Sequence, residues 1–283
     1  MRVRAAVTFG LCLWAGAAQA QTMRPFSTFR QQHGETRLSA RVEYGAGSLR
    51  IEPGPPGELY RMNLSYDEDR FIPISDFDAS SRTVVLGLRA AGQGGVRVVS
   101  GKQLRQLATI AISPRADLAL DLTLGAVDAD IELGGLRISD LNLKTGASRA
   151  TVRFSRPNGM RCRHAAFSAG AAEVSVVGLG NSRCDEIVFE GGLGTVLLDF
   201  SGTWTSSAHV EVKMAVGEIT LRLPRRVGVR LAMDKFLSSF EPTGLVRRGD
   251  AFVSSNYDRA EQRLDLDLKT AMGGVNVEWV DDR

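Results

Sequence analysis

The chain has 283 residues, 35 Lys and Arg against 32 Asp and Glu, 43% hydrophobic residues, 30 Gly and only 9 Pro. That balance points to many tight turns between short strands rather than to low complexity. Two of the cations, Arg2 and Arg4, lie in a leader expected to be removed, leaving 33 against 32. Such near-neutrality lacks the electrostatic footprint of a nucleic-acid binder, and no later run approaches the ~18 apolar residues of a membrane span.

Arg2 and Arg4, the apolar stretch from Ala5 to Ala17 and the small-x-small triplet Ala18-Gln19-Ala20 read as a secretory signal peptide, residues 1–20, cut before Gln21. Cys12 follows Phe9-Gly10-Leu11, a poor lipoprotein box, so the expectation is an exported protein, periplasmic or extracellular, without a lipid anchor. About 260 residues remain, room for one large all-β domain or two smaller ones.

Residues 21–36 are polar and irregular and read as a flexible leader. An N-terminal β region, 37–112, follows. Leu38, Ala40, Val42 and Tyr44 alternate before Gly45-Ala46-Gly47, and Leu49 and Ile51 after it, which predicts two strands around a small-residue turn. Pro53-Gly54-Pro55-Pro56-Gly57 breaks the pattern. Further strands are expected over Leu59–Leu64 and Thr83–Val99, a loop over Tyr66–Ser81, and a short helix over Gly101–Ala108.

From residue 113 to 283 one short phrase recurs. It is Ala129-Asp-Ile131-Glu-Leu133, then Ala150-Thr-Val152-Arg-Phe154, Ala172-Glu-Val174-Ser-Val176, Gly194-Thr-Val196-Leu-Leu198 and Gly217-Glu-Ile219-Thr-Leu221. The central residues are 21, 22, 22 and 23 positions apart. A fixed period of this length marks a stacked array. Each phrase follows an alternating strand, such as Leu118-Ala-Leu120-Asp-Leu122-Thr-Leu124, and a small-residue corner, such as Gly125, Gly146, Gly170, Gly191-Gly192 or Ala215. Pro157-Asn158-Gly159, Gly178-Leu179-Gly180-Asn181 and Ser201-Gly202 then turn the chain back.

The prediction is an all-β fold: short strands stacked into a parallel β-solenoid of about 22-residue rungs. Ile131, Val152, Val174, Val196 and Ile219 are expected in one interior ladder, and Leu133, Phe154, Val176, Leu198 and Leu221 in a second. No rung can bury its apolar row alone. Residues Asp234 to Arg259 interrupt the period, and Leu264-Asp-Leu266-Asp-Leu268 with Ala271-Met-Gly-Gly-Val275-Asn-Val277 reads as a last copy that caps one end.

Cys162 and Cys184 are one repeat apart. Equivalent residues of adjacent parallel rungs lie ~4.8 Å apart, within reach of a disulfide, and export favours its formation.

Catalytic chemistry is sparse. His33, His164 and His209 share no rung position and read as leader, surface or turn residues. Arg161-Cys162-Arg163-His164 with Cys184 is a poor zinc set, because flanking arginines oppose a cation. Asp128, Asp130 and Glu132, with Asp121 nearby, invite glycosidic hydrolysis or calcium binding. Alternate strand positions must be polar, however, and Arg149 and Arg153 replace the acids in the next repeat. Arg222, Arg225, Arg226, Arg230, Arg247 and Arg248 suit an anionic surface or a solvated face. No catalytic residue, cofactor or metal is assigned.

The phrases Val42-Glu-Tyr-Gly-Ala-Gly47, Leu124-Gly-Ala126, Phe154-Ser-Arg-Pro-Asn-Gly159, Gly178-Leu-Gly-Asn181 and Phe200-Ser-Gly-Thr-Trp204, in their order, resemble the toast-rack, LiaF-like family of bacterial cell-envelope proteins. The resemblance implies an exported stack of β-strands, adhesin-like or regulatory, with no catalytic residues. Regulatory members carry N-terminal membrane helices that bring them to a sensor kinase. Here a cleavable leader stands in their place, which implies an unanchored module.

The functional expectation is therefore a non-catalytic envelope scaffold or adhesin-like binding module. Its partner would be a glycan, a lipid surface, a protein or a second copy of itself. The alternatives are a polysaccharide-active β-helix enzyme and an envelope-stress regulator acting through a partner protein.

Overall fold

A computed structural model describes residues 22–91 and 106–281. The expected signal peptide, with Cys12, and residues 101–105 of the expected helix lie outside the described residues. Among the described residues sixteen strands form one continuous sheet, whose centre is a parallel stack in which each strand lays its apolar row on the row before it.

The stack begins with β2 (Arg37–Pro53), followed by β7 (Asp117–Glu132), the split rung β8 (Arg137–Thr145) and β9 (Arg149–Arg153), then β10 (Cys162–Val177), β11 (Cys184–Asp199) and β12 (Ala208–Pro224). Except at Gly146, where β8 ends and β9 begins after it, the small-residue corners bend these strands without ending them. Thus β2 is a single strand through Gly45-Ala46-Gly47 where two were expected. Each rung is two arms meeting at a corner, with side chains of each arm alternating inward and outward.

Register defines the core. On the first arm, Val42, Leu122, Leu143, Phe167, Phe189 and Val212 form one buried ladder. On the second arm the expected ladders are corrected at one step. Ile131 lies beside Val152, but Val152 lies beside Val176, not Val174. The interior columns are therefore Leu49–Ala129–Ala150–Val174–Val196–Ile219 and Ile51–Ile131–Val152–Val176–Leu198–Leu221. Two additional residues sit in the return loop after Phe154. A slip of two keeps every inward side chain inward, so alternation alone cannot register it.

Stacking is close at the corner. Gly194 and Gly217 are aligned, with φ of 142° and 144°. A Cβ on Gly217 would lie 1.9 Å from the Gly194 carbonyl oxygen. The small residue opening these two phrases thus serves backbone approach between rungs rather than interior packing.

The return side is held by asparagines. Asn158 is buried; its Nδ2 donates to the carbonyls of Ile138 (2.8 Å) and Ser182 (3.0 Å), and its Oδ1 accepts from the Ile138 N–H (2.8 Å). One rung on, Asn181 donates to the Phe154 carbonyl and accepts from the Thr203 N–H, both at 2.9 Å.

Cys162 and Cys184 are in register and bonded, their Cα atoms 4.2 Å apart. Unreduced chain from Gln21 onward should therefore show no free thiol on titration under denaturing conditions. Replacing both cysteines by serine should cost about 3 kcal/mol. Two titratable thiols would refute the pairing.

The two ends of the stack differ. At the N-terminal end β5 (Thr83–Ala90) covers the first arm of β2, and β4 (Phe71–Asp78) pairs antiparallel outside it. The second arm is covered in turn by β6 (Leu107–Ile112), β3 (Glu58–Asp67) and β1 (Met23–Gln31). Three expectations are corrected here. Part of residues 21–36 is the edge strand β1; part of the expected loop 66–81 is β4; and Leu107 and Ala108, expected in a helix, begin β6. β1 and β4 escape a reading by alternation because each is paired on one side only and carries a proline, Pro25 or Pro73, within its run.

At the other end, β13 (Gly228–Phe240) carries the stack on into the first residues of the stretch, Asp234 to Arg259, expected to interrupt it. β16 (Arg263–Val280), expected as the cap, is inserted between β12 and β13 and parallel to both. The hairpin of β14 (Val246–Arg248) and β15 (Ala251–Val253) lies outside β13: β15 pairs with Arg230–Ala232 of its first arm, and Phe252 packs edge-on against Phe240 of its second, the ring centres 5.2 Å apart.

Candidate functional site

The inward positions are filled, so any site is built from outward positions and corners. Where the arms meet, two successive residues of each rung point outward. The second of the pair forms an aligned row: Ala171, Leu193, Val216, Met272 and Leu237. Among its larger side chains exposure runs from 40% at Val216 to 59% at Leu237, and Phe236 beside Leu237 is 82% exposed. At ~4.8 Å per rung the row spans about 19 Å. Isolated exposed apolar residues are ordinary, but a continuous apolar strip on successive rungs marks an interaction surface.

Along one flank of this ridge runs a groove of about 980 Å³. Its wall is an outward column containing Lys144, Ser168, Glu190, Lys213, Lys269 and Asp234 in register. Lys213 contacts Glu211 at 3.0 Å and Glu190 at 3.3 Å. The hydrogen bond to Glu211, then that to Glu190, holds its ammonium above the ordinary lysine range. The same lysine pulls the Glu211 carboxyl below its ordinary value. Lys144 and Lys269 are exposed, and neither has an ion-pair partner among the described residues. The opposite flank carries Glu173, Thr195 and Glu218 in register, with Arg149 bound to Glu173 at 3.0 Å. The whole is an apolar rail between a column of mixed lysines and acids and a flank carrying Glu173, Glu218 and Arg149, suited to holding a surface or an extended partner.

The candidate residues chosen from sequence lie elsewhere. Asp130 is engaged by Arg153 and stands 3.8 Å from Arg50, while Glu132 accepts from the Gly134 N–H (2.6 Å) and the Ser155 hydroxyl (2.9 Å). Asp121 contacts Asn142 (3.3 Å) and Arg41 (3.9 Å), and Asp128 aligns with Arg149. These acids form rung-to-rung ties with arginines.

His164 and His209, expected to share no rung position, lie on one outward column with Glu186 between them. His164 Nδ1 is 3.3 Å from Glu186, and His209 Nε2 is 3.8 Å from Asp267. His33 lies in the turn after β1. Arg161 and Arg163 bind Asp185 and Asp140, and the bonded cysteines offer no thiolate to a metal. Arg222 binds Glu278 (2.8 Å), Arg225 Asp281 (3.2 Å) and Arg248 Asp258 (2.9 Å); Arg230 is 3.9 Å from Asp267.

The ridge is hard to see in the sequence because the corners are marked by their small residues. Its signal is the apolar residue directly after each: Leu193 after Gly192, Val216 after Ala215, Met272 after Ala271.

Solved structures resemble the stack to different degrees. A "putative cell adhesion protein" from Clostridium sporogenes is 15% identical, with a TM-score of 0.52 over 91% of this chain and 100% of its own. A "putative adhesin" from Bacteroides fragilis is 9% identical, with a TM-score of 0.37 over 91% and 98%. A "putative lipid binding protein" from Parabacteroides distasonis is 12% identical, with a TM-score of 0.41 over 90% and 96%. The first of these likenesses supports a shared fold. No curated protein matches the chain. Residues 18–177, more than half of the sequence and including the rungs from β2 to β10, match the family described as the N-terminal domain of toast_rack, DUF2154, and the chain belongs to that family.

Proposed function

We propose that this chain is an exported, non-catalytic binding module of the bacterial cell envelope, and that the corner ridge is its contact face. The supporting observation is the apolar row of Leu193, Val216, Met272 and Leu237 on four successive rungs, with Lys144 and Lys269 in the neighbouring column. A rigid sheet holds these side chains at fixed spacing, so little ordering entropy is lost on contact. The disulfide and the signal-like N-terminus are consistent with an oxidising compartment outside the cytoplasm.

The test is co-sedimentation of purified chain with isolated cell envelopes, set against the double variant Leu193→Asp, Met272→Asp. Both positions are exposed, so folding stability should stay within about 0.5 kcal/mol. Envelope binding should fall at least about tenfold, since two charges would be carried into an apolar contact. Undiminished binding by a folded variant would remove the ridge from the reading; no binding by the parent chain would remove the reading itself.

A further inference from the structure

The outer edge of the corner changes character along the stack. On the split rung it is Gly146-Ala147 and on β10 Gly170-Ala171; on β16 it is Ala271-Met272 and on β13 Phe236-Leu237. Between them lie Gly192-Leu193 on β11 and Ala215-Val216 on β12. The register on either side, Thr145 beside Ala169 and Arg149 beside Glu173, places Gly146-Ala147 in the same rows. All of these edge residues are exposed. The edge is thus low at one end and raised at the other, over five steps or about 24 Å. Its charges are graded as well. In the neighbouring column Lys144 stands at the low end and Asp234 at the raised end, both exposed and neither with an ion-pair partner among the described residues. Glu190 and Lys213 stand side by side in the middle.

We propose that this edge seats the same edge of a second copy, the two stacks antiparallel, about a two-fold axis that crosses the edge midway between β11 and β12. The proposal rests on the reading of the ridge as a contact face and names what meets it. An axis there lays Phe236-Leu237 of one copy on Gly146-Ala147 of the other, and Ala271-Met272 on Gly170-Ala171. Each raised end then fills the other's low end, and Leu193 meets Val216 at the centre. Because the axis runs across the edge, the lysine-bearing columns of both copies fall on the same side. Lys144 faces Asp234, and Glu190 faces Lys213, each twice. On the other flank Arg149 faces Ser239, Glu173 faces Gly274 and Thr195 faces Glu218, with no like charges opposed. Moving the axis to β11 sets Lys144 against Lys269 and Glu190 against its own copy. Moving it to β12 sets Lys213 against its own copy and leaves Lys144 without a partner. A parallel pairing would set Phe236 on its own copy, leave Gly146-Ala147 facing itself across a gap, and oppose Lys144 to Arg149. An edge that complements its own reversal in height and in charge is suited to an isologous two-fold contact, and opposed like charges reject the other registers. The same residues cannot meet the envelope and a second copy at once, so self-pairing holds the face in reserve until envelope is in excess.

Sedimentation velocity on the purified chain tests it. The contact is narrow, so dimerisation is expected at concentrations on the order of 50 µM. Lys144→Glu and Asp234→Lys each oppose like charges twice per dimer and should each weaken it about tenfold or more. The double variant, with the pair reversed, should recover the parent constant within about threefold. An equimolar mixture of the two single variants should also recover it. In the mixed dimer the glutamate introduced at position 144 faces the lysine introduced at position 234, while the unaltered Lys144 and Asp234 face each other. Ala147→Phe tests the fit of shape. It makes the edge more apolar, which would strengthen a non-specific contact, whereas collision with Leu237 of the second copy should weaken the dimer about tenfold. All three positions are exposed, so the variants should fold, as circular dichroism would verify. A chain that stays monomeric to about 200 µM overturns the proposal. So does a dimer indifferent to the two charge variants, one that neither the double variant nor the mixture rescues, or one that Ala147→Phe tightens. If a chain that never dimerises still binds envelopes through the ridge, the contact-face reading stands and this one falls.

Discussion

Phe189→Ala will lower the unfolding free energy by about 3–5 kcal/mol, read as a fall in denaturant midpoint at unchanged slope. Phe189 is fully buried on the first arm of β11, with Phe167 aligned on one side and Val212 on the other. The neighbours are fixed by two backbone ladders, each locked to the next rung, so the vacated volume cannot collapse. Leu193→Ala on the same strand supplies the comparison. Its side chain is mostly in solvent, and truncation should cost no more than about 0.5 kcal/mol. Equal costs at the two positions would mean that the inward and outward faces of β11 are misassigned.

Asn158→Ala should be of similar size, about 3–6 kcal/mol, although it removes almost no apolar surface. The asparagine amide satisfies three backbone groups: the N–H and C=O of Ile138 and the C=O of Ser182. Each buried group left without a partner costs ~1–3 kcal/mol. Asn181→Ala is the milder counterpart. Asn181 is only partly buried, and the two backbone groups it serves lie nearer water. The measurement is again chemical denaturation; a loss below about 1 kcal/mol at Asn158 would show that water replaces the amide without penalty.

The sequence carries the architecture and little of the site. Alternation and a spacing of 21 to 23 residues make the parallel stack legible, because each rung buries the same row in the same way. The slip at Val152 is invisible there, since a shift of two preserves alternation. The insertion of β16 is invisible for another reason: its partner in β12 lies 56 residues earlier, as Val210 does from Leu266, beyond any local period. β1 and β4 lack a clean apolar row because an edge strand need not have one. Among candidate site residues, Cys162 and Cys184 are legible because adjacent rungs bring equivalent positions together. The acids are easily over-read: Asp130 looks available in sequence, but its arginine partners come from neighbouring rungs. The ridge of Leu193, Val216 and Met272 resembles core until the corner geometry turns it outward.

The order of strands at the C-terminal end also sets a timetable. Synthesis produces β12, then β13, then the strand that must lie between them. While residues 225–262 are emerging, β13 has no neighbour to hold it against the growing body, and β12 remains uncovered. Neither is secured until Arg263–Val280 lies in the gap and bonds to each. A chain halted before Arg263 would therefore leave two raw margins where the finished protein hides both, and that stretch of the molecule must mature after translation has passed it.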